Sequence, residues 1–208
     1  MKTIFSNPIL TVLAVLVFLS SSLKAQHDVD INVLGIFYKN LQIDYEYVVN
    51  DQTGVGLSLM YGQNTLDMDI PSGVDYSAFE IVPEFNFYPI PSQGVDKLFI
   101  TVYMKYKSAK WEDMSYMVNA EEKYYDLTYG GVGIGFQLGY KLLFRSNFFL
   151  QASAGMGRYI FTDWDDTGDK KFKLSESENN EYRDDFIYEW DVRFALGLGY
   201  RFGGNAAK

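Results

Sequence analysis

The residues that could do bond-making chemistry are few. His27 is the single histidine and there is no cysteine, so thiolate chemistry is excluded and imidazole acid–base catalysis has one candidate. That candidate is the second residue of the chain expected after signal cleavage. Glu189 and Asp191 form an acid pair, but two residues apart in a strand they share one charged face, which suits a structural role better than a catalytic one. Asp163, Asp165, Asp166, Gly168 and Asp169 echo a calcium loop of the D-x-D-x-D-G type. Thr167 stands at the third acid position and Leu174 at position twelve, where a glutamate is needed. An EF-hand is therefore not expected, and neither a resident metal nor a cofactor is. A looser divalent-ion site bridging lipopolysaccharide is the alternative to a plain solvated acidic loop. Residues 162–185 hold nine acids against Lys170, Lys171, Lys173 and Arg183, a net charge of −5.

The segment that positions Glu189 and Asp191 shows the organisation of the rest. From Phe186 to Phe202 every even position is apolar or aromatic, while the odd positions are mostly charged or small: Glu189, Asp191, Arg193, Ala195, Gly197, Gly199 and Arg201. A period of 3.6 cannot separate these sets and a period of two does. One face suits lipid, and the segment reads as the closing strand of an outer-membrane β-barrel.

Seven earlier segments repeat the pattern. Val29–Tyr38 reads as the first strand, followed by a turn at Lys39 and Asn40. Leu41–Val49 and Val55–Tyr61 follow, joined across residues 50–54. Residues 62–77 form a longer polar segment. Ala78–Tyr88 is the fourth strand, in which Pro83 lacks a ladder donor and predicts a bulge or a frayed end. Residues 89–97 make a turn-rich connection to Leu98–Lys107. Residues 109–126, with Trp111, read as a polar loop before Leu127–Phe144. A tight turn at residues 145–147 leads to a strand beginning at Phe148, and residues 162–185 are the longest loop. Connections after the second, fourth and sixth strands are thus short, and those after the third, fifth and seventh long. Outer-membrane barrels show that parity, with short periplasmic turns and long external loops. Trp111 and Trp164 fall where strands run into loops, as an aromatic girdle would.

Alternation alone leaves open which face is inside. A soluble lipocalin-like barrel would bury the apolar face. The glycine-rich opposite face of Gly131, Gly133, Gly135 and Gly139 makes a poor solvated surface, and no Gly-x-Trp opens the first strand. With the apolar face outward, the second to eighth strands send Asp44, Glu46, Glu80, Glu84, Glu189 and Asp191 into the lumen, with Lys105, Lys107, Lys141, Arg193 and Arg201. Six acids against five bases nearly cancel. Eight strands leave a lumen just wide enough for side chains to fill, so the set reads as a plug of paired charges.

Composition agrees. Tyr and Phe total 33 and Gly 18, a strand-rich and interface-rich usage. Lys2, an apolar core at residues 9–19 and Leu23-Lys24-Ala25 read as a signal peptide cut after Ala25; the core is short for a membrane-anchor helix. Its removal takes the net charge from −9 to −11, against nucleic-acid binding. The expected division is a signal peptide at 1–25, one barrel domain at 26–202 and a short tail at 203–208.

Asn40–Gly62, with a strand ending in Tyr-Glu-x, a turn and Gly-x-Gly-Leu-Ser, resembles the small outer-membrane β-barrel domain families of Gram-negative bacteria, similar in architecture to OmpA and OmpX barrels. Pro83-Glu84-Phe85, Phe87-Tyr88-Pro89 and Leu198-Gly199-Tyr200-Arg201-Phe202 continue the resemblance. It implies an all-β, eight-stranded antiparallel up-and-down transmembrane barrel in contact with outer-membrane lipid and lipopolysaccharide. It also implies a C-terminal signal for the barrel-assembly machinery, carried by Gly197, Tyr200 and Phe202, with Ala195 at a position usually polar. Barrel enzymes of that membrane typically use a histidine near the outer rim, where a terminal His27 would not lie. The expectation is a non-enzymatic structural or surface-interaction protein acting through external loops. The alternatives are a small porin or transporter and the soluble ligand-binding barrel.

Overall fold

The computed structural model describes residues 26–63, 75–92, 94–118, 121–166 and 190–203. They form one closed barrel of eight strands, each hydrogen-bonded to its sequence neighbour and the last to the first. The elements are β1 (Gln26–Asn32), α1 (Val33–Phe37), β2 (Asn40–Asn50), β3 (Thr53–Gly62), β4 (Asp75–Phe87), β5 (Lys97–Val118), β6 (Glu121–Leu143), β7 (Phe148–Asp166) and β8 (Trp190–Phe202). Every pairing is antiparallel, and closure is made where Val29 meets Tyr200 and Ile31 meets Leu198. No sheet edge remains along the closed ring, the condition for strands to cross lipid.

The faces settle the inside–outside question. Leu57, Leu59, Ile100, Val102, Phe136, Leu138, Phe194 and Leu198 are exposed on the outer wall, whereas Asp28, Asp30, Glu46, Glu80, Lys105, Lys141, Asp191 and Arg201 are buried. A soluble barrel requires the reverse, so the lipocalin-like alternative is overturned and the chain is a transmembrane barrel. On β6 the outward positions run from Val132 to Leu142; at about 3.4 Å per residue and about 40° of tilt they span about 25 Å, the height of a barrel's apolar band.

Turns at residues 51–52, 88–96 and 144–147 lie at one end with Gln26 and Phe202, called here the turn end. The opposite, loop end departs from the sequence expectation in several places. The first strand stops at Asn32 and does not reach Tyr38. Val33–Phe37 is a short helix, capped by the Asn32 side chain, which accepts from the Gly35 N–H. A run of apolar residues without a polar alternate offers nothing to a polar lumen, and curling it at the rim exposes Ile36 and Phe37 outward. Lys39, at φ 58°, turns the chain into β2.

The expected loop at residues 109–126 is mostly strand. β5 and β6 continue past the apolar band as a hairpin whose pairing runs to Val118 and Glu121, with a bulge between Trp111 and Met114. β4 begins at Asp75, opposite Glu112, and β7 extends to Asp166, opposite Leu127. Four strands therefore rise beyond the barrel on one side. Alternation is lost there because strand faces outside lipid need not be apolar. Pro83 makes no bulge: β3 pairs through it, and the β4–β5 ladder skips Val82 and Pro83 and resumes in the same register. The expected strand residues 186–189, most of the acidic loop and the expected signal peptide lie outside the described residues.

Candidate functional site

Among the described residues the lumen concentrates the buried charge, and the strand period places it there. Along β4 and β5 the inward residues face one another in order from the turn end: Asn86 with Thr101, Glu84 with Tyr103, Glu80 with Lys107, Ala78 with Ala109 and Tyr76 with Trp111. The filling therefore changes character along the axis.

At the turn end the connection after β4 folds back into the mouth. Tyr88, Val95 and Phe99 pack together, with Val95 wholly buried. The Tyr88 hydroxyl donates to Glu46 at 2.9 Å, and Asn86 Nδ2 donates to the same carboxylate at 2.8 Å. Lys141, 2% exposed, donates to Glu46 at 2.5 Å and to Asp28 at 2.9 Å. Its ammonium also stands 4.8 Å from the Phe149 ring centre and 5.4 Å from that of Tyr88. Arg201 grips Asp28 with Nε at 2.7 Å and Nη2 at 2.8 Å, and donates to the Val95 carbonyl at 2.9 Å. A two-pronged guanidinium–carboxylate contact is the strongest geometry for such a pair.

Above it, Arg193 donates to Glu84 at 2.9 Å and lies 4.7 Å over the Tyr103 ring. Lys105 bridges Asp191 at 2.6 Å and Glu80 at 2.8 Å, Tyr103 donates to Asp191 at 2.7 Å, and Lys107 stands 3.8 Å from Glu80. At the loop end Tyr76, Ala78, Ala109, Trp111, Leu127 and Tyr129 close over this layer as an apolar cluster. Beyond them Lys110 pairs with Glu112 and, at 3.2 Å, with Asp126. These hydrogen bonds, Glu112 first, raise its ammonium above the usual lysine pKa.

The lumen glycines act as slots for rings. A Cβ at Gly139 would overlap the Phe99 ring, and one at Gly199 the Phe149 ring. Small residues on one strand thus make room for large ones on its neighbour.

Asp44, Glu46, Glu80, Glu84, Lys105, Lys107, Lys141, Asp191, Arg193 and Arg201 all sit on the inner side, and Glu189 lies outside the described residues. Sequence reasoning missed Asp28 and Asp30, both buried on β1. With them the strands point seven carboxylates and five cations inward, and Asp96, buried on the connection after β4, adds an eighth carboxylate at the turn-end mouth. Trp111 is not in an outer girdle; it is buried inside with the cluster above, and the Trp164 side chain lies outside the described residues. His27 is at the turn end, Nδ1 2.7 Å from the Tyr45 hydroxyl and its ring 5.5 Å from that of Tyr47. Tyr200 packs edge-on against Phe148 and Phe202 at 5.1 and 4.8 Å, so two of the three residues expected to carry an assembly signal sit in an aromatic cluster at that end. Gly197, the third, lines the lumen beside Asp30.

The fold is similar to that of three solved structures. A major outer membrane protein from Thermus thermophilus is 15% identical, with a TM-score of 0.49, over 86% of this chain and 99% of that one. CarO of Acinetobacter baumannii is 13% identical, with a TM-score of 0.47, over 86% and 97%. Ail, the attachment invasion locus protein of Yersinia pestis, is 11% identical, with a TM-score of 0.44, over 86% and 97%. No curated protein matches the sequence. A family model described as "Protein of unknown function (DUF3575)" matches residues 9–202, taking in every described strand, and the chain belongs to that family.

Proposed function

We propose that this chain is an outer-membrane barrel protein that performs no catalysis, carries no steady solute flux, and works through the strand surface it raises above the membrane. The observation that supports this reading is the filled lumen, in which the Lys141 and Lys105 networks are stacked beneath an aromatic lid around Trp111. An eight-stranded barrel has no width to spare once such side chains are in place. The turn end faces the periplasm and β4–β7 rise on the outside. Export follows cleavage after Ala25, and Gly197, Tyr200 and Phe202 present the closing strand to the barrel-assembly machinery. The exposed Ile36 and Phe37 of α1 meet the lipid and lipopolysaccharide boundary. His27 pairs with Tyr45 and Tyr47 on the outer face of the wall, across the backbone from the lumen acids, which supports a non-enzymatic role.

Two measurements test it. Planar-bilayer recording of the refolded barrel is expected to give no sustained conductance; a steady open level would favour the porin alternative. Because the chain has no cysteine, single-cysteine variants report topology without background. Ser115→Cys on intact cells is expected to react with a membrane-impermeant maleimide, and Asp51→Cys only after the outer membrane is opened. The opposite labelling would refute the orientation.

A further inference from the structure

We propose that the outer wall binds a phosphate-bearing lipid of the outer leaflet, its headgroup phosphate on Arg158 and one acyl chain in the slot beneath, between β6 and β8. The assignment to the outer leaflet rests on the loop end facing outward, as proposed above. β7 and β8 pair in register, and their outward partners run from Phe148 with Tyr200 at the turn end to Arg158 with Trp190 at the loop end. From Phe148 to Arg158 the rise is about 25 Å at about 3.4 Å per residue and about 40° of tilt, the full height of the apolar band. An aromatic pair therefore marks the turn-end boundary, and an arginine beside a tryptophan marks the loop-end boundary.

Arg158 is the odd member of this wall. The outward residues below it on β6, β7 and β8 carry no charge. Arg158 is itself exposed, and Ile134, its partner on β6, is exposed to the outside with it. A cation tolerated on a lipid face lies near the interface, where the cost of burial falls away and the long stem carries the guanidinium to the headgroups. Phosphate is the anion at that depth, and a planar guanidinium takes it through two parallel N–H···O bonds. Its five donors exceed what one neighbour within the chain occupies. On β7 the next outward acid, Asp163, stands beyond Phe161, on the water side of such a phosphate.

Below Arg158 the wall dips. Ala152 and Ala154 are exposed outward, and each is flanked by larger exposed neighbours, Tyr140 and Leu138 on β6 and Leu196 and Phe194 on β8. β6 and β8 stand two strand spacings apart, about 10 Å, so the slot between the two ridges is about one hydrocarbon chain wide. It runs along the strands toward the guanidinium. The alanines by themselves are only a gap in the wall; what assigns a ligand is the cation at the upper end, at headgroup depth. An acyl chain carried by a phosphate-bearing headgroup matches both parts, whereas free phosphate uses only one.

The test uses the barrel refolded into detergent free of lipopolysaccharide, with native mass spectrometry counting the lipid retained as diphosphoryl lipid A is titrated in. The native sequence is compared with Arg158→Gln, Ala154→Leu and Arg145→Gln, the last an exposed cation at the turn end. Each is first shown to keep its heat-modifiable gel shift. The native barrel and Arg145→Gln are expected to retain lipid at the same concentration, and Arg158→Gln to need on the order of tenfold more. Ala154→Leu fills the slot, leaves Arg158 in place, and is expected to weaken retention several-fold. With lipid A stripped of its phosphates, the difference between native and Arg158→Gln is expected to vanish. Retention unchanged by Arg158→Gln overturns the proposal, and means that the guanidinium serves only water or an acid of its own chain. An equal loss in Arg145→Gln overturns it as well, since any surface cation would then do. Full retention by Ala154→Leu overturns the acyl slot, and displacement of the lipid by inorganic phosphate overturns the choice of a lipid over the free ion. Micelles have no sides, so these results are independent of orientation; reversed cysteine labelling with binding intact overturns the outer-leaflet assignment alone.

Discussion

Replacing Lys141 with methionine removes the charge at the centre of the turn-end network while nearly keeping its volume. Two carboxylates lose a partner, but unequally. Asp28 keeps both prongs of Arg201. Glu46 keeps only the neutral donors Tyr88 and Asn86. One buried carboxylate is therefore left without a counter-charge, a loss of about 3–5 kcal/mol. Converting Glu46 to glutamine in the same chain removes that stranded charge, and the double variant should cost only about 1–2 kcal/mol, the range of a few neutral hydrogen bonds. The double variant should then be about 2–3 kcal/mol more stable than Lys141→Met alone, well above the scatter of about 0.3–0.5 kcal/mol expected of independent sites. Equilibrium urea unfolding in short-chain phosphatidylcholine vesicles, followed by tryptophan emission and by the mobility of unboiled samples on gels, measures each corner of the cycle. A Lys141→Met cost below about 1 kcal/mol, or a double variant no more stable than the single, would refute the account. Either result would mean that water enters the mouth and screens the network.

Three further perturbations read other parts of the barrel. Val102→Arg, at an outward position 59% exposed, should cost about 2–4 kcal/mol in the same unfolding assay if it lies at mid-membrane depth, and near zero if that wall faced water. Gly139→Ala should destabilise by about 1–3 kcal/mol through overlap with Phe99, and Phe99→Leu in the same chain should recover part of the loss; an unaffected melting curve would show that the slot is not needed. Leu127→Asp, inside the cluster at the loop end, should loosen the lid and give conductance events in planar bilayers that the native chain lacks, while the heat-modifiable gel shift persists.

Period-two alternation makes the wall readable, because lipid demands apolar residues at every outward position of a spanning strand. The same demand explains what is not readable. Beyond the rim nothing forces the outer face of β5 and β6 to be apolar, so residues 114–118 and 121–125 lose their pattern while keeping their pairing, and a hairpin reads as a loop. Trp111 can be placed inside by counting two more steps from Lys107 through Ala109. Asp28 escapes a first strand that begins at Val29, and both Asp28 and Asp30 escape a lumen count that starts at the second strand. That omission matters most, since Asp28 joins Lys141 to Arg201 and Asp30 accepts from Gln151. The fold of residues 88–96 back into the mouth has no signature at all; turn-forming residues show that a chain reverses, not where the reversal lies. Val33–Phe37 fails for the opposite reason: a continuous apolar run fits a strand and a helix equally, and the Asn32 cap decides it.

The Asp28 cluster also dictates an order of assembly. Its members come from β1, β2, β6, β8 and the connection after β4, and the Arg201–Asp28 contact spans 173 residues. No hairpin alone can satisfy any of them. A nascent sheet of β1 to β7 would hold Asp28, Glu46 and Lys141 without Arg201 and without a closed wall, so it gains little by entering lipid early. The reward arrives only when β8 lands against β1 and completes every contact at once. Insertion should therefore be all-or-none and slow, as expected when the stabilising contacts are distant in sequence, and the seam between the first and last strands should be the last part to form and the first to open.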